Sequence, residues 1–326
     1  MRVGFTYEHK SWYPFGPDDP SDANSELLSD EETQELIDGL QQAGHSVVVI
    51  GDASHLLNRL DHWRNMCDIV FNRSVGYRGT ERKSYVPAIL EVAGIPYVGS
   101  TPYVLSLTRN KYHTKMVIKD AGIPTPSSAL LTGGLLDNAD AVIYPAIVKP
   151  VAESSSIGIS SSEAIVTTPD AARRRAREIT KSYLQPAIVE TFIEGIEIEV
   201  PVLVDPEPRV LGLAAVGVNG QIPDRRHFLA SDEVYVDEYD YIPPPSWIDC
   251  DRLIAYAQRG AQALGIRDYG RLDFRVDVHG NPWFIEASTH PHVQRHSSYF
   301  SAAQWVGIDY PEMLDLLIQI AVRRIR

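Results

Sequence analysis

Short hydrophobic runs alternate with longer amphipathic stretches along the N-terminal part of the chain. The run Ser46–Ile50 is mostly β-branched, which is typical of a strand buried on both faces. The stretch Asp30–Ala43 places Leu36 and Leu40 on one helical face. Gly44, a common helix stop, follows it. Strands that alternate with helices predict an open parallel sheet. The other elements predicted in this region are strands at Arg2–Thr6, Asp68–Asn72 and Ile95–Val98 and helices at His55–Arg64 and Ser84–Ala93.

The pattern changes after a predicted helix at Asn110–Ala121, which the segment Gly122–Pro126 terminates. Strand-like runs then follow one another with fewer helices between them, so an α+β arrangement with antiparallel strands is predicted. We therefore expect three lobes, at 1–104, 105–188 and 189–326. The strands predicted in this part are Ala146–Lys149, Ile159–Ser161, Ala187–Phe192, Glu197–Leu203, Val210–Val218, Leu272–Val278 and Trp283–Glu286, and the helices are Asp170–Tyr183, Asp251–Ala263 and Pro311–Arg324.

Composition and charge narrow the class of function. Of the 326 residues, 44% are hydrophobic and 22% are charged, which is ordinary for a globular protein. The net charge of -13 disfavours non-specific nucleic-acid binding, because phosphates would be repelled. Cys67 and Cys250 are too few for a disulfide framework, and no apolar run reaches the roughly 20 residues of a membrane span. We expect a cytoplasmic protein that binds small molecules, and neither nucleic acid nor a membrane.

The sequence lacks the two common phosphate-binding motifs, Gly-x-x-x-x-Gly-Lys-Ser/Thr and a Gly-x-Gly-x-x-Gly after the first strand. Other residues have the chemistry to bind a nucleotide. Lys149 ends a predicted buried strand, where its charge can meet phosphates. The turn Ser154–Gly158 offers backbone N–H groups as a lid. Asp273 and Glu286 lie on the two predicted strands of one hairpin, and their oxygens suit Mg²⁺.

Each of these features has an ordinary structural explanation when it is taken alone. A lysine at a strand end is usually solvated, and a run of serines is usually a loop. Asp273 and Glu286 would also suit an exposed cross-strand pair. Arg271 lies two residues before Asp273, so both side chains project from the same strand face. The order and spacing of the clusters, rather than any one residue, favour a nucleotide site.

The ordered motifs resemble those of the D-alanine–D-alanine ligase branch of the ATP-grasp superfamily over nearly the whole chain. The resemblance implies an ATP-grasp fold, in which an N-terminal parallel α/β lobe precedes two α+β lobes that sandwich ATP. It also implies ATP and one or two Mg²⁺ ions as cofactors, and it suggests a homodimer. The segments that carry it are Val98-Gly99-Ser100, Asn110-Lys111, Ala121–Pro126, Val148-Lys149-Pro150, the serine turn, Val189-Glu190, Gly195-Ile196-Glu197 and Arg271–Glu286.

The resemblance implies a role for each matching position. The implied cofactor-binding residues are Lys111 and Lys149 for the phosphates, Glu190 for the adenine amino group, the backbone of Phe192 and Ile193 for the adenine edge, Glu197 for the ribose, and Arg226 in a nearby loop. The implied Mg²⁺ ligands are Asp273 and Glu286, with Ser288 beside them. The implied catalytic residues are Arg271, which would stabilise the anionic intermediate, and the lid serines Ser155 and Ser156.

Departures from the family pattern lie on the substrate side. Ser288 replaces an asparagine metal ligand, and His292 replaces a glycine whose N–H receives the second substrate's carboxylate. The N-terminal Gly-Gly-x-Ser-x-Glu signature is absent, and Gly4–Glu8 stands in its place. The family also has a Lys-Tyr pair in the loop before its C-terminal half. This pair is not evident here, and the nearest equivalents are the residues Arg225–Phe228. Contacts with an altered substrate are therefore expected at His227, His290, His292 and Ser297.

The histidines His290, His292 and His296 leave three interpretations open. Imidazoles suit transition metals, and histidine also titrates near neutrality, so it can bind substrate or take a proton from an attacking ammonium. Packing and loop polarity are the third interpretation. Their position beside Glu286, where the resemblance implies substrate and Mg²⁺, favours the second.

The sequence predicts a carboxylate–amine ligase that uses ATP to form a peptide or amide bond through an acyl phosphate. The altered substrate contacts favour amino-acid substrates other than two D-alanines, in a specialised biosynthesis. One alternative is a D-alanine–D-alanine ligase of cell-wall synthesis. Another is a catalytically silent nucleotide-binding protein, against which the presence of Arg271, Asp273 and Glu286 argues.

Overall fold

The computed structural model describes residues 1–14, 16–133, 138–236 and 238–325. Within these ranges the first sheet is parallel, with the strand order β2-β1-β3-β4. Four α-helices in the described N-terminal region connect its strands, as the alternating pattern predicts. Its strands are β1 (Arg2–Thr6), β2 (Ser46–Gly51), β3 (Ile69–Asn72) and β4 (Tyr97–Val98).

Two antiparallel sheets follow in chain order. The second sheet has the order β5-β8-β6-β7, and the third has the order β12-β11-β9-β13-β14 with β10 paired to β9. The strands of the second sheet are β5 (Ser128–Leu131), β6 (Ala146–Pro150), β7 (Ile165–Val166) and β8 (Ala187–Thr191). Those of the third are β9 (Gly195–Val204), β10 (Pro208–Val210), β11 (Ala214–Gly217), β12 (Asp240–Ile242), β13 (Asp268–Asp277) and β14 (Pro282–Ser288).

The helices have local sequence reasons to begin where they do. Ser29 caps the first helix, because its Oγ accepts from Glu32 N (3.2 Å) while Glu32 Oε2 accepts from Ser29 N (2.7 Å). The helices are α1 (Asp30–Gln42), α2 (Ala53–Asn58), α3 (Leu60–Met66), α4 (Tyr85–Ala93), α5 (Pro102–Arg109), α6 (Lys111–Asp120), α7 (Pro169–Tyr183), α8 (Ser231–Val236), α9 (Cys250–Leu264), α10 (Ser298–Trp305) and α11 (Tyr310–Ile325). In the described part of the chain, no helix is long and apolar enough to cross a membrane.

The C-terminal helix completes the core of the first sheet. Leu36 and Leu40 of α1 are fully buried in one cluster with Phe5 of β1 and with Leu314 and Leu317 of α11. Burying such side chains is worth about 2 kcal/mol each. The far end of the chain therefore belongs to the hydrophobic core of the N-terminal lobe.

Three predicted elements are wrong in detail. The segment Ile159–Ser161 is a turn rather than a strand, and Ile159 packs beside Phe192 and Phe228 instead. The segment Val210–Val218 divides into β10 and β11, which are separated near Gly212, where a Cβ would approach Ala302 Cβ to 2.9 Å. The predicted helix His55–Arg64 is two helices, because Arg59 between them leaves the helical region, with φ -140° and ψ 37°.

The expected lobe boundary at 188/189 falls inside β8, whose five residues all pair within the second sheet. The chain passes between the second and third sheets at 192–194 instead. Ile118 of α6 is buried in the core of the third sheet, so this helix joins the two later sheets. The predicted hairpin is confirmed, with Asp273 directly opposite Glu286 and a turn at Gly280 (φ 79°). Cys67 and Cys250 are both free.

Candidate active site

A first pocket lies between the second and third sheets, and we call it the lysine pocket. The second sheet contributes the ends of β6 and β8, and the third contributes β9, β13 and β14. It brings together the residues that the sequence assigns to a nucleotide, with the exception of Arg226. Its principal lining residues are Lys111, Lys149, Ser154, Ser156, Glu190, Phe192, Ile193, Glu197, Phe228, Arg275 and Glu286.

Glu190 is held between two lysines on one wall of the lysine pocket. Its Oε1 lies 2.6 Å from Lys149 Nζ and its Oε2 lies 2.9 Å from Lys115 Nζ. All three side chains are nearly fully buried. Burial alone would raise the pKa of Glu190, but Lys115 and Lys149 outweigh it and hold the pKa below its ordinary value. Glu190 is therefore an anion that fixes Lys149 at the pocket.

Lys111 and Lys115 connect the start of α6 to β14 on the opposite wall. Lys111 Nζ lies 3.1 Å from Glu286 Oε2 and also donates to the carbonyl of Glu153. Lys115 Nζ donates to the carbonyl of Ile285 at 2.8 Å. Burial lowers the pKa of Lys115 to about 8. Lys115 was not predicted as a site residue. Its spacing of one helical turn from Lys111 is the sequence feature that indicates that both lysines lie on the same face of the helix.

Arg275 organises the rim of the lysine pocket, although no motif in the sequence marks it as a site residue. Its Nε donates to the carbonyl of Ile193 (2.7 Å), and its Nη2 donates to the carbonyls of Gly195 (2.9 Å) and His227 (3.0 Å). Its guanidinium lies 5.1 Å from the centre of the Phe192 ring. Arg275 thus holds the segment after β8 against the loop that begins at Arg225. Its alternation with Arg271 and Asp273 on β13 was the signal that could have found it.

Arg271 of β13 bridges two carboxylates that lie outside the lysine pocket, on β13 and β9. Its Nε and Nη2 donate to the two oxygens of Asp273 at 2.7 and 2.8 Å, and its Nη1 lies 2.8 Å from Glu199 Oε2. Burial raises the pKa of Asp273 to about 7 against the opposing effect of Arg271. Despite burial, Lys111, Lys149 and Arg271 hold the pKa of Glu286 at about 2. Glu199 follows Glu197 by two residues on β9, and this alternation is the sequence signal that places both side chains on one strand face.

The donor set at the hairpin suits a hard cation. Asp273 and Glu286 are direct cross-strand neighbours, and Ser288 lies opposite Arg271 in the same register. Each carboxylate oxygen has more than one lone pair, so Asp273 can accept from Arg271 and still coordinate an ion. In the described ranges no three His, Cys, Asp or Glu side chains converge on a metal position. Two carboxylates with a hydroxyl match the way Mg²⁺ is held beside substrate phosphates.

A second pocket continues from the same hairpin towards the first sheet, and we call it the histidine pocket. It is enclosed by the carboxyl end of the parallel sheet on one side and by the lid on the other. Its principal lining residues are Glu26, Arg73, Lys83, Ser154–Ser156, Glu199, Tyr239, Tyr241, Arg271, Asp273, Glu286, Ser288, His290, Pro291 and His292.

The lid turn Ser154–Gly158 separates the two pockets. Ser155 and Ser156 both have left-handed backbones, with φ 51° and 54°. Ser156 Oγ donates to the carbonyl of Leu229 at 2.7 Å, and Ser155 Oγ lies 3.4 Å from His292 Nε2. The lid therefore touches both the loop after Arg225 and the floor of the histidine pocket.

The predicted histidines have different environments. His290 is buried, and its Nε2–H donates to the carbonyl of Asn72 at 2.8 Å. Burial and Arg73 lower the pKa of His292 to about 4, so its imidazole is neutral at pH 7. Burial holds the pKa of His290 well below its ordinary value as well. A lowered pKa disfavours the proton-accepting role considered from the sequence, because a catalytic base usually has a pKa near the working pH.

Three predicted site residues lie away from both pockets. Arg226 is exposed, and its Nε donates to Glu194 at 2.7 Å. His227 pairs with Glu233 at 2.8 Å. Ser297 is buried as the N-cap of α10, where its Oγ donates to the carbonyl of Gln294 (2.6 Å) and accepts from Phe300 N (3.1 Å). These three side chains bind other groups of the protein, and none of them lines either pocket.

The fold is that of a known class of ligases. The D-alanine–D-alanine ligase of Bacillus anthracis complexed with ATP superposes with a TM-score of 0.75 at 21% identity, over 99% of this chain and 98% of that one. The VanG D-Ala:D-Ser ligase of Enterococcus faecalis gives a TM-score of 0.69 at 20% identity, over 98% and 99% of the two chains. The predicted ATP-grasp architecture is confirmed.

Sequence comparison defines the family. Residues 117–319 match the family model described as D-ala D-ala ligase C-terminus. D-alanine–D-alanine ligase B of Pseudomonas putida is 33% identical over 288 residues, covering 86% of this chain and 84% of that protein. The uncharacterized protein y4sG of Sinorhizobium fredii is 29% identical over 300 residues, covering 89% and 87%. The chain belongs to the D-alanine–D-alanine ligase family and is an ATP-dependent ligase that forms carbon–nitrogen bonds.

Proposed function

We propose that this ligase joins a carboxylate to an amine through an acyl phosphate, on amino-acid substrates other than two D-alanines. The observation that carries the proposal is the side chain of His292. It stands where the family resemblance implies a glycine, and it reaches within 3.4 Å of the lid serine Ser155. A ring in that position changes the shape of the histidine pocket next to Arg271 and Ser288.

In the first step, a substrate carboxylate oxygen attacks the γ-phosphorus of ATP, and ADP leaves. The lysine pocket supports this step, because Lys111 and Lys149 place two cations beside the phosphate position. Phe192, Ile193 and Glu197 line the same pocket and are proposed to hold the adenosine, with Glu190 fixing Lys149. Asp273, Glu286 and Ser288 would hold Mg²⁺, which neutralises phosphate charge when bound.

In the second step, the amine attacks the acyl carbon and phosphate leaves, and the departing phosphate takes up the proton that the nitrogen loses. Arg271 is proposed to stabilise the tetrahedral oxyanion, since its guanidinium is held rigidly by Asp273 and Glu199. The lid and the loop from Arg225 to Asp232 would exclude water, which otherwise hydrolyses the acyl phosphate. The contact between Ser156 and Leu229 supports this pairing of lid and loop.

A second candidate function is the D-alanine–D-alanine ligase reaction itself. The P. putida relative that carries this name is 33% identical over most of the chain, and this similarity favours it. The two candidates differ only in which substrates stimulate ATP cleavage.

The test is ADP release with Mg²⁺ and ATP against a panel of L- and D-amino acids, singly and in pairs. We expect stimulation by a pair other than two D-alanines. Stimulation by D-alanine alone would establish the second candidate instead. Arg271→Lys, which keeps the charge but cannot bridge both carboxylates, should lower turnover by about 10²-fold. Binding of a non-hydrolysable ATP analogue should stay within about twofold, and full turnover in this variant would remove Arg271 from the mechanism.

A further inference from the structure

Arg73 is the cation of the histidine pocket that has no carboxylate partner. Three lysine and arginine side chains line this pocket in the described part of the chain. Lys83 pairs with Glu26 at 2.6 Å, and Arg271 pairs with two carboxylates. Within the described ranges, Arg73 forms no ion pair at all.

The contacts of Arg73 leave part of its guanidinium unused. The residue is only 4% exposed. Its Nη1 donates to the carbonyl of Pro291 (2.9 Å) and to the hydroxyl of Tyr269 (3.3 Å), which are both neutral acceptors. Its Nε is buried without a hydrogen-bond partner among the described residues. A guanidinium stays protonated in a protein, so a buried guanidinium is stabilised by an anion that pairs with it.

The backbone around Arg73 is fixed from several sides. Arg73 follows β3 at the carboxyl end of the parallel sheet, the edge at which open α/β sheets bind ligands. The preceding carbonyl of Asn72 accepts from His290. Just beyond Arg73, Glu8 Oε2 accepts from Val75 N (2.7 Å) and Gly76 N (2.9 Å). The guanidinium is therefore presented to the pocket by a rigid segment, which lowers the entropy cost of binding a ligand there.

We propose that Arg73 binds a second carboxylate of the substrate, so that one of the two joined molecules is an acidic amino acid of aspartate or glutamate size. This inference rests on the proposed function, since it identifies the substrate class of the same pocket. A planar guanidinium matches a carboxylate with two parallel hydrogen bonds. Alanine has no side-chain carboxylate and would leave Arg73 unpaired, so the same residue also discriminates against two alanines.

The experiment measures binding, which needs no turnover. The full-length protein is saturated with Mg²⁺ and a non-hydrolysable ATP analogue, and the L- and D-forms of aspartate, glutamate, asparagine and glutamine are titrated by calorimetry. We expect at least one acid to bind on the order of tenfold or more tightly than its own amide, as one charge-assisted hydrogen bond predicts. Arg73→Gln should abolish this preference, and Arg73→Lys should retain part of it.

Arg267→Gln is the matched control. Arg267 is partly buried, donates to a backbone carbonyl (Gly99, 2.7 Å) and stacks on a tyrosine (Tyr97, 4.7 Å), but it does not line the pocket. It should keep the preference for the acid. Equal binding of acids and amides by the wild type, no binding of any of them, or a preference that survives in Arg73→Gln would each overturn the proposal. If an acid binds through Arg73 while ADP release is stimulated only by D-alanine, the proposed function fails, the acid is not a substrate, and only the binding of a carboxylate by Arg73 stands.

Discussion

At the residue scale, the candidate site is a set of buried charges whose partners come from distant parts of the sequence. Lys149 meets Glu190 across neighbouring strands, and Lys111 meets Glu286 from a helix. Burial alone would neutralise such groups, and the paired opposite charge keeps them ionised. Glu8 is an exception, because it is 3% exposed and accepts from the backbone N–H groups of Val75 and Gly76, without an ion pair in the described structure.

Glu8 should make the protein less stable as the pH rises. Burial raises the pKa of Glu8 from 4.5 to about 7, so between these values the folded state holds a proton that the unfolded state has lost. Its contribution to the free energy of unfolding therefore falls by roughly 3 kcal/mol between pH 4.5 and 7. Glu8→Gln keeps an oxygen acceptor without the charge, so it should be more stable than the wild type at pH 8 and equal to it near pH 4.5.

Urea unfolding at several pH values checks this. The control is Glu81→Gln at an exposed glutamate, which should leave the pH dependence unchanged. A Glu8→Gln protein with the wild-type pH dependence would show that the buried carboxyl is not the cause.

At the scale of elements, strands deliver the reacting groups and one turn closes over them. Strands β9 and β13 carry Glu197, Glu199, Arg271, Asp273 and Arg275 at alternate positions, so these side chains share one face. The lid turn depends on Gly158, which has φ 79° and whose N–H donates to Asp22 at 2.8 Å. A Cβ at Gly158 would collide with the ring of Pro150, the residue after Lys149.

Gly158→Ala should therefore impair the lid more than the fold. The left-handed backbone costs about 1–2 kcal/mol for a residue with a Cβ, and the collision displaces the lid from Pro150. We expect turnover to fall on the order of tenfold or more. Gly44→Ala is the matched control, since Gly44 has φ 84° and free space around it, so it should show the stability loss without the loss of turnover. Equal turnover losses in both variants would mean that lid geometry is not responsible.

At the scale of the whole molecule, one buried ionic cluster joins the N-terminal lobe to the lid. Arg82 bonds to Glu153 at 2.6 Å and to Glu26 at 2.8 Å, and Arg109 of α5 reaches Glu153 at 3.0 Å. Lys83 completes the cluster. Burial alone would raise the pKa of Glu26, but Lys83, Arg109 and Arg82 hold it well below its ordinary value. The cluster therefore stabilises the assembled lobes at neutral pH and loses this effect as the pH falls.

Glu153→Gln should destabilise the protein by about 3–5 kcal/mol, because it leaves buried cations with one carboxylate fewer. The free energy of unfolding in urea at pH 7 is the measurement. The control is Asp68→Asn, which breaks the exposed pair between Arg2 and Asp68 and should have a much smaller effect. Comparable losses in the two variants would contradict a special role for the buried cluster.

Local sequence patterns were enough to predict most of the longer helices and strands and most of the residues of the lysine pocket. Some features depend only on residues that are close together in the chain, so a short stretch of sequence predicts them. They are the alternation of side chains on β13, the hairpin turn at Gly280 and the end of the strand at Lys149. The same reasoning failed for Ser297, whose hydroxyl caps a helix. A serine near a motif has the same local sequence signal whether it faces a ligand or a backbone N–H.

The sequence by itself determined the order of strands and helices, the family motifs and the chemistry available for binding ATP. Tertiary structure alone decided which charges meet. Arg73 and Lys83 both lie between β3 and α4, and only the packing of the first sheet against the hairpin brings them to His292 and Ser288. The physical reason is that ion pairing and burial depend on distances between residues far apart in the chain. The lack of a carboxylate partner for Arg73 in the described structure can therefore be recognised only once the other ion pairs of the pocket are known.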